Sequence, residues 1–298
     1  MAEVSVKTTK SEKKYADLII QDASKMMEAK YWDYEENQEL FKGFGDYEII
    51  TIEAIVGEYL GQLQLTIKNI EKLEEQNLSI KDFVPISPLD YGSMEKGIKF
   101  YFNKIKAKHL KELIRIMIFD TKFYDDFTSY PAARRVHHNY YHGLLHHTLE
   151  VLKFANVVAS TKNLSQIQQD RLMVMAMLHD WGKIMEYKKL PQVGFTDVGI
   201  MIGHIFLSGH YTLNAINTIE NFPEEDRLVI LNGILGHHGS LEFGSPVLPK
   251  TIEAQILHQA DKMSGDVESI IAHLNDDLDE EEVFTKKLWN MGTEYYKK

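Results

Sequence analysis

The sequence predicts an α+β, multidomain chain, a small N-terminal β-barrel followed by an all-α domain. Three observations carry this. Alternating, β-rich runs occur before residue 75, and apolar residues recur at helical spacing after residue 90. Between them, residues 76–90 hold Pro85 and Pro88 and read as a linker. The expected boundaries are therefore 1–75 for the barrel, 76–90 for the linker and 91–298 for the helical domain.

In the first part, Tyr15–Ile20, Glu48–Val56 and Leu63–Ile70 read as strands. Gly43-Phe44-Gly45 and the stretch Gly57–Gly61 separate them, the second as a hairpin turn. This piece resembles an OB-fold in Leu18–Asp22, Glu28–Asp33 and the Tyr59–Leu65 hairpin. Such barrels bind single strands by stacking bases on aromatics along a basic groove. Tyr31, Trp32, Tyr34, Phe41 and Tyr59 would supply the stacking. Residues 1–75, however, carry nine Lys against sixteen Asp or Glu, a net of −7. A protein-contact or positioning module therefore stands beside the nucleic-acid-binding one.

A helix starts near Ser93, with Ile98, Phe102, Ile105, Leu110, Leu113, Ile114 and Met117 on a buried face. Lys104, Lys108, Lys111 and Arg115, spaced four, three and four, share another face. Residues 91–137 carry ten basic and five acidic residues, which makes this stripe the best candidate for a phosphate-tracking surface. The acidic run Asp276–Glu282 reads as a solvated loop or helix start.

Composition narrows the function. The chain of 298 residues is 44% hydrophobic and 26% charged, as expected of a soluble globular protein with a real core. No apolar run approaches the roughly 18–20 residues of a membrane span, and Met1–Lys10 lacks an apolar signal segment. A cytoplasmic protein with no membrane partner is expected. The absence of cysteine excludes disulfides and thiolate metal sites, so any metal must sit on His, Asp and Glu. The net charge of −11 argues against gripping nucleic acid through the overall field, although a local basic surface or a bound metal can still serve.

Thirteen histidines are placed in a telling way. His147 sits on a helix whose apolar face continues through Leu152 and Ala155. The apolar helix Arg171–Leu178 runs into His179-Asp180, where burying a titratable pair costs desolvation that a metal ion offsets. His204 follows Gly203, the helix Leu228–Leu235 ends in Gly236-His237-His238-Gly239, and Asp261 lies in the helix Ile252–Met263. Each polar group adjoins an apolar helix. Spacing alone reaches a His/Asp metal site and stops there.

The order His, His-Asp, His, His-His, Asp in this helical setting resembles the HD-domain metallophosphohydrolase superfamily, and more narrowly the YhaM-type 3′–5′ exoribonucleases. The resemblance covers nearly the whole chain. Its anchors are Pro131–His138, Gly143–Thr148, Leu178–Lys183, Gly203–Ile205, Gly236–Gly239, Gly244–Pro246 and Leu257–Asp261. It implies that His147, His179, Asp180 and Asp261 are core metal ligands. His204 with one or both of His237 and His238 would complete a second site, Asp180 bridging. Two departures, His142-Gly143 for paired glycines and Trp181 for an aliphatic residue, bear on substrate preference rather than on the ligand set.

The implied activity is metal-dependent 3′–5′ exonucleolytic hydrolysis of single-stranded RNA, with DNA as a lesser option. Two cations about 3.5–4 Å apart can polarise a phosphoryl oxygen and lower the pKa of a shared water. Asp180, Lys183 and His138 are the expected catalytic groups; Arg135, Lys183, Trp181 and His238 the expected substrate contacts. Mn²⁺ is the leading metal, with Fe, Co or Mg as alternatives, because an all-His/Asp site does not choose by itself. The rival readings are a phosphodiesterase of cyclic or short oligonucleotides and a non-catalytic nucleotide-binding regulator. The expected partner is a single-stranded nucleic acid or nucleotide, and a homo-oligomer is open.

Overall fold

A computed structural model describes residues 2–298 except 25, 43, 45–48, 60–61, 74–78, 134–137, 191–193 and 278–281. Two compact units result. One is Met1–Ile86 with residues 190–192; the other is Ser87–Lys189 with 193–298.

The N-terminal unit holds strands β1 (Ala2–Thr8), β2 (Lys14–Gln21), β3 (Met26–Tyr31), β4 (Ile50–Tyr59) and β5 (Gln62–Lys72), and a short helix α1 (Gln38–Phe41). They form one sheet of order β1-β2-β3-β5-β4. All neighbours are antiparallel except β3 and β5, which run parallel with Ala29 opposite Leu65. Ala16, Leu18, Ala29, Tyr31, Ile67 and Ile70 form its core. Ile67 and Ile70 are an odd number of residues apart, which in a regular strand would put them on opposite faces. A bulge opposite Glu53/Ala54 pairs Ile70 with Ile52 and Ile67 with Ala54, and both reach the core.

The expected barrel is therefore an open sheet: no β1–β4 ladder joins its edges among the described residues. Closure would need a pairing between the strands farthest apart in the sheet, which no local pattern encodes. In the second half of β4, Ile55, Val56 and Tyr59 pair with β5 but leave their side chains exposed. Gly57 lies within β4 opposite Gln64, so the hairpin connection falls at 60–61, outside the described residues, as does most of the Gly43–Gly45 break. Of the aromatics expected to stack on bases, Tyr31, Tyr34 and Phe41 pack in the core, while Trp32 and Tyr59 are exposed.

The helical unit contains α2 (Tyr91–Lys104), α3 (Lys108–Ile114), α4 (Tyr124–Ser129), α5 (Gly143–Thr161), α6 (Gln166–Leu178), α7 (Lys183–Glu186), α8 (Asp197–Ile202), α9 (His204–Ile216), α10 (Glu224–Gly236) and α11 (Ile252–Asp276). Helix α6 is the hub, with every residue from Asp170 to Leu178 buried. A helix apolar all round must be covered on all sides, and α3, α5, α10 and α11 pack around it. None of the described helices is long and apolar enough to cross a membrane.

The single helix expected from Ser93 onward is broken at residues 105–107. The buried Asp170 carboxylate accepts from the N–H groups of Lys106 (2.8 Å) and Ala107 (2.7 Å), which satisfies the new N-terminus of α3. A partner 63 residues downstream thus ends α2, which periodicity could not reveal. The basic stripe is also engaged locally. Lys104 donates to Asn156 Oδ1 (2.9 Å), Lys111 lies over the Phe102 ring, and Arg115 pairs with Glu112 and Asp120.

Candidate metal centre

Helix α5 carries His147; the end of α6 carries His179 and Asp180; α11 carries Asp261. These four side chains converge although three separate elements supply them. His147 Nε2 lies 3.3 Å from His179 Nε2, 3.4 Å from Asp180 Oδ2 and 3.1 Å from Asp261 Oδ1. His179 Nε2 is 3.4 Å from Asp180 Oδ2. The other oxygen, Asp180 Oδ1, faces a second group: His204 Nε2 at 3.5 Å and His237 Nε2 at 3.6 Å. His204, His237 and His238 form that group, their ligand atoms within 4.8 Å of one another. One carboxylate thus stands between two nests of imidazole nitrogen.

Local structure aims each ring. Gly182 is pressed so closely by α9 that a Cβ there would lie 2.4 Å from His204 O, and its N–H donates to Ser208 Oγ at 2.8 Å. This close approach is what Gly182 provides. His179 Nδ1 lies 3.0 Å from Ala176 O, His237 Nδ1 2.6 Å from Ile234 O and His238 Nδ1 2.8 Å from Phe243 O. His204 Nδ1 meets Glu186 Oε1 at 3.0 Å, and His147 Nδ1 meets Ser264 Oγ at 3.0 Å. An Nδ1–H that donates to oxygen leaves Nε2 as the lone-pair atom, which is how ligand histidines are fixed.

The electrostatics agree. Burial would push the Asp180 carboxyl up, but Lys183, His179 and His147 hold it well below its ordinary range. Burial opposes ionisation of Asp261 too, and His147 and His179 hold it down. Burial would lower His147, but Asp180 and Asp261 outweigh it and raise the group to about 9, so a cation bound at Nε2 displaces a proton from there. Burial lowers His237 and His238, which keeps them in the neutral, ligating form. Asp180 Oδ1, His204 Nε2 and His237 Nε2 are buried with no hydrogen-bond partner, and an orphaned buried polar atom costs about 1–3 kcal/mol. A cation among them removes that cost; the residues fit a divalent metal.

Beside the centre opens a cavity of about 330 Å³, lined by Asp180, Lys183, His238, Phe243, Asp261 and Lys262 among others. Lys183 Nζ donates to Asp180 Oδ2 at 2.6 Å while lining this cavity.

One expected substrate contact, Trp181, and one expected catalytic group, His138, lie elsewhere. Trp181 is 1% exposed, its indole N–H donates to Met117 O at 3.0 Å, and it packs on Phe123 and Tyr211. It is a core residue with no face left for a base. His138 turns to His146 and Glu150 instead of to Asp180, and burial lowers its pKa to about 4 despite the Glu150 carboxylate. Arg135 lies outside the described residues. Sequence reasoning missed Glu186, Ser264, His146 and Glu150. Only His146, beside His147 in the chain, had a visible signal.

Residues 144–266 match the HD domain family. The chain is 32% identical over 263 residues to the 3′–5′ exoribonuclease YhaM of Listeria innocua, covering 88% of this chain and 82% of that protein. It is 31% identical over 254 residues to the 3′–5′ exoribonuclease YhaM of Bacillus subtilis, covering 85% of this chain and 79% of that one. No solved structure matches.

Proposed function

The chain belongs to the family of HD-domain, YhaM-type 3′–5′ exoribonucleases, and on that premise we propose that it trims single-stranded RNA from the 3′ end at a two-cation centre shared by Asp180. It is a hydrolase, a metal-dependent 3′–5′ exonuclease. The observation that carries the two-cation reading is the division of Asp180, Oδ2 toward His147 and His179 and Oδ1 toward His204 and His237.

In this reading, His147, His179, Asp180 and Asp261 hold one divalent cation, and Asp180, His204, His237 and His238 the other. Mn²⁺ is the metal we favour for an all-His/Asp set. When bound, such a pair supplies Lewis acidity at phosphorus and activates water at neutral pH. The chain's own residues do the rest. Lys183 keeps Asp180 ionised through a buried ion pair and adds positive charge at the mouth of the cavity. Lys262, which pairs with Asp266 on the cavity wall, supports this reading as a second positive charge for a phosphate. The half-buried His238 borders the same cavity, and in this reading it would reach the scissile end of the strand. The N-terminal sheet, with Trp32 and Tyr59 exposed, serves to position the strand ahead of cleavage.

A substrate panel tests this. With 5′-end-labelled single-stranded RNA and Mn²⁺, a ladder shortening from the 3′ end is expected, and a 3′-phosphate block should delay it. Asp180→Asn should reduce the rate by about 10³-fold or more, since it strips a ligand from both cations worth several kcal/mol of catalysis. Turnover of cyclic or dinucleotide substrates without strand trimming, or full activity in Asp180→Asn, would overturn the assignment.

A further inference from the structure

A third group of ligand-type side chains lies next to the metal centre but takes no part in it. His146 and Glu150 are four residues apart on α5, hence on one face of the helix, and His138 reaches them from the loop ahead of it. His138 Nε2 lies 3.2 Å from Glu150 Oε2, and His146 Nε2 lies 3.4 Å from Glu150 Oε1. All three ligand atoms fall within 4.8 Å of one another. Charge-assisted N–H···O contacts are about 2.7–2.9 Å long. Neighbouring ligands on a tetrahedral cation with bonds of about 2.1 Å stand about 3.4 Å apart. Each imidazole Nε2 stands at 3.2–3.4 Å from one of the two Glu150 oxygens, nearer the second spacing than the first, as do the 3.1–3.4 Å contacts of His147.

The His146 ring is also held as a ligand is. His146 Nδ1 is 2.6 Å from Tyr140 Oη and 3.1 Å from Ser87 Oγ, so an Nδ1–H donating to these hydroxyls turns the Nε2 lone pair toward Glu150. Ser264 Oγ donates to Glu150 Oε2 at 2.8 Å. His138 and His142 both adopt positive φ (53° and 69°), which costs a non-glycine residue about 1–2 kcal/mol. Their loop is held by Ala132 N–H donating to His138 O at 2.9 Å and by Gly143, where a Cβ would lie 2.0 Å from that same oxygen. Backbone strain spent to place one buried imidazole is the mark of a functional position.

We propose that His138, His146 and Glu150 form a third divalent-cation site, distinct from the Asp180 centre. Two imidazoles and one carboxylate with open coordination positions suit a borderline transition ion such as Mn²⁺, Fe²⁺ or Zn²⁺. The site communicates with the main centre through Ser264, whose Oγ lies between His147 Nδ1 (3.0 Å) and Glu150. A cation on Glu150 withdraws charge from the acceptor that orients His147. The proposal stands on the trio's own geometry and does not require that the substrate be RNA.

Crystals of the full chain soaked in Mn²⁺ and measured at the manganese edge test it. The expected map has an anomalous peak bonded to His138 Nε2, His146 Nε2 and a Glu150 oxygen, in addition to density at Asp180. His146→Phe should remove that peak alone and lower the metal content, measured in solution by mass spectrometry, by one ion per chain. His138→Asn should do the same and serves if the first variant does not fold. Peaks at Asp180 with none at the trio would overturn this proposal and leave the main centre standing. A peak at the trio alone would uphold it and sink the Asp180 reading. Metal content unchanged in both folded variants would overturn it as well.

Discussion

Replacing Glu186 with glutamine should weaken metal binding at one half of the centre without touching a ligand. Glu186 is buried, and its Oε1 accepts from the His204 backbone N–H at 3.0 Å and lies 3.0 Å from His204 Nδ1. His204 draws the Glu186 carboxyl below its ordinary value in spite of burial, which would raise it. Glutamine keeps the shape and one acceptor, but the charge is lost, and its amide nitrogen can face Nδ1 and favour the tautomer protonated on Nε2. Hydrogen bonds to charged groups contribute about 1.5–3 kcal/mol, and 1.36 kcal/mol is a factor of ten. The Mn²⁺ concentration giving half-maximal RNA trimming should therefore rise about 10- to 150-fold, in line with the effect of other outer-shell partners. The rate at saturating Mn²⁺ should approach that of the unmodified chain. A half-saturation point that does not move, or a rate deficit that Mn²⁺ fails to relieve, would refute the reasoning.

Other predictions concern residues that build the centre from outside. Trp181→Phe loses the bond to Met117 O and part of a buried ring, and should cost about 2–4 kcal/mol in denaturant unfolding while leaving KM for RNA unchanged. A raised KM at unchanged stability would restore Trp181 as a base contact. Asp170→Asn keeps the shape but removes the charge that satisfies Lys106 N–H and Ala107 N–H, and should destabilise the helical unit by about 1–2 kcal/mol. Equal unfolding midpoints for the two proteins would show that the α2–α3 break has another cause.

The candidate ligand histidines were legible because apolar runs adjoin them: Leu172–Leu178 leads into His179, and His147 opens a helix whose buried face continues through Leu152 and Ala155. A buried polar group at such a place demands a partner, and the order of these groups along the chain carried the resemblance. Trp181 was misread because a large aromatic beside ligands looks the same in sequence whether it faces the cavity or the core. Its partners, Met117, Phe123 and Tyr211, are far away in the chain. Glu186 and Ser264 were invisible for a similar reason: they act through bonds to residues on another helix. The barrel was not legible as an open sheet because closure depends on β1 meeting β4, the strands farthest apart in the sheet, and no local pattern announces that pairing. Local patterns announce elements; what those elements touch is decided elsewhere.

The central claim is that one carboxylate, Asp180, is shared by two cations. Low-temperature electron paramagnetic resonance of the full chain titrated with Mn²⁺ tests it most directly. Two Mn²⁺ ions joined through a carboxylate should give an exchange-coupled multiline spectrum that Asp180→Asn abolishes. A six-line spectrum of isolated Mn²⁺ at every loading would contradict the account.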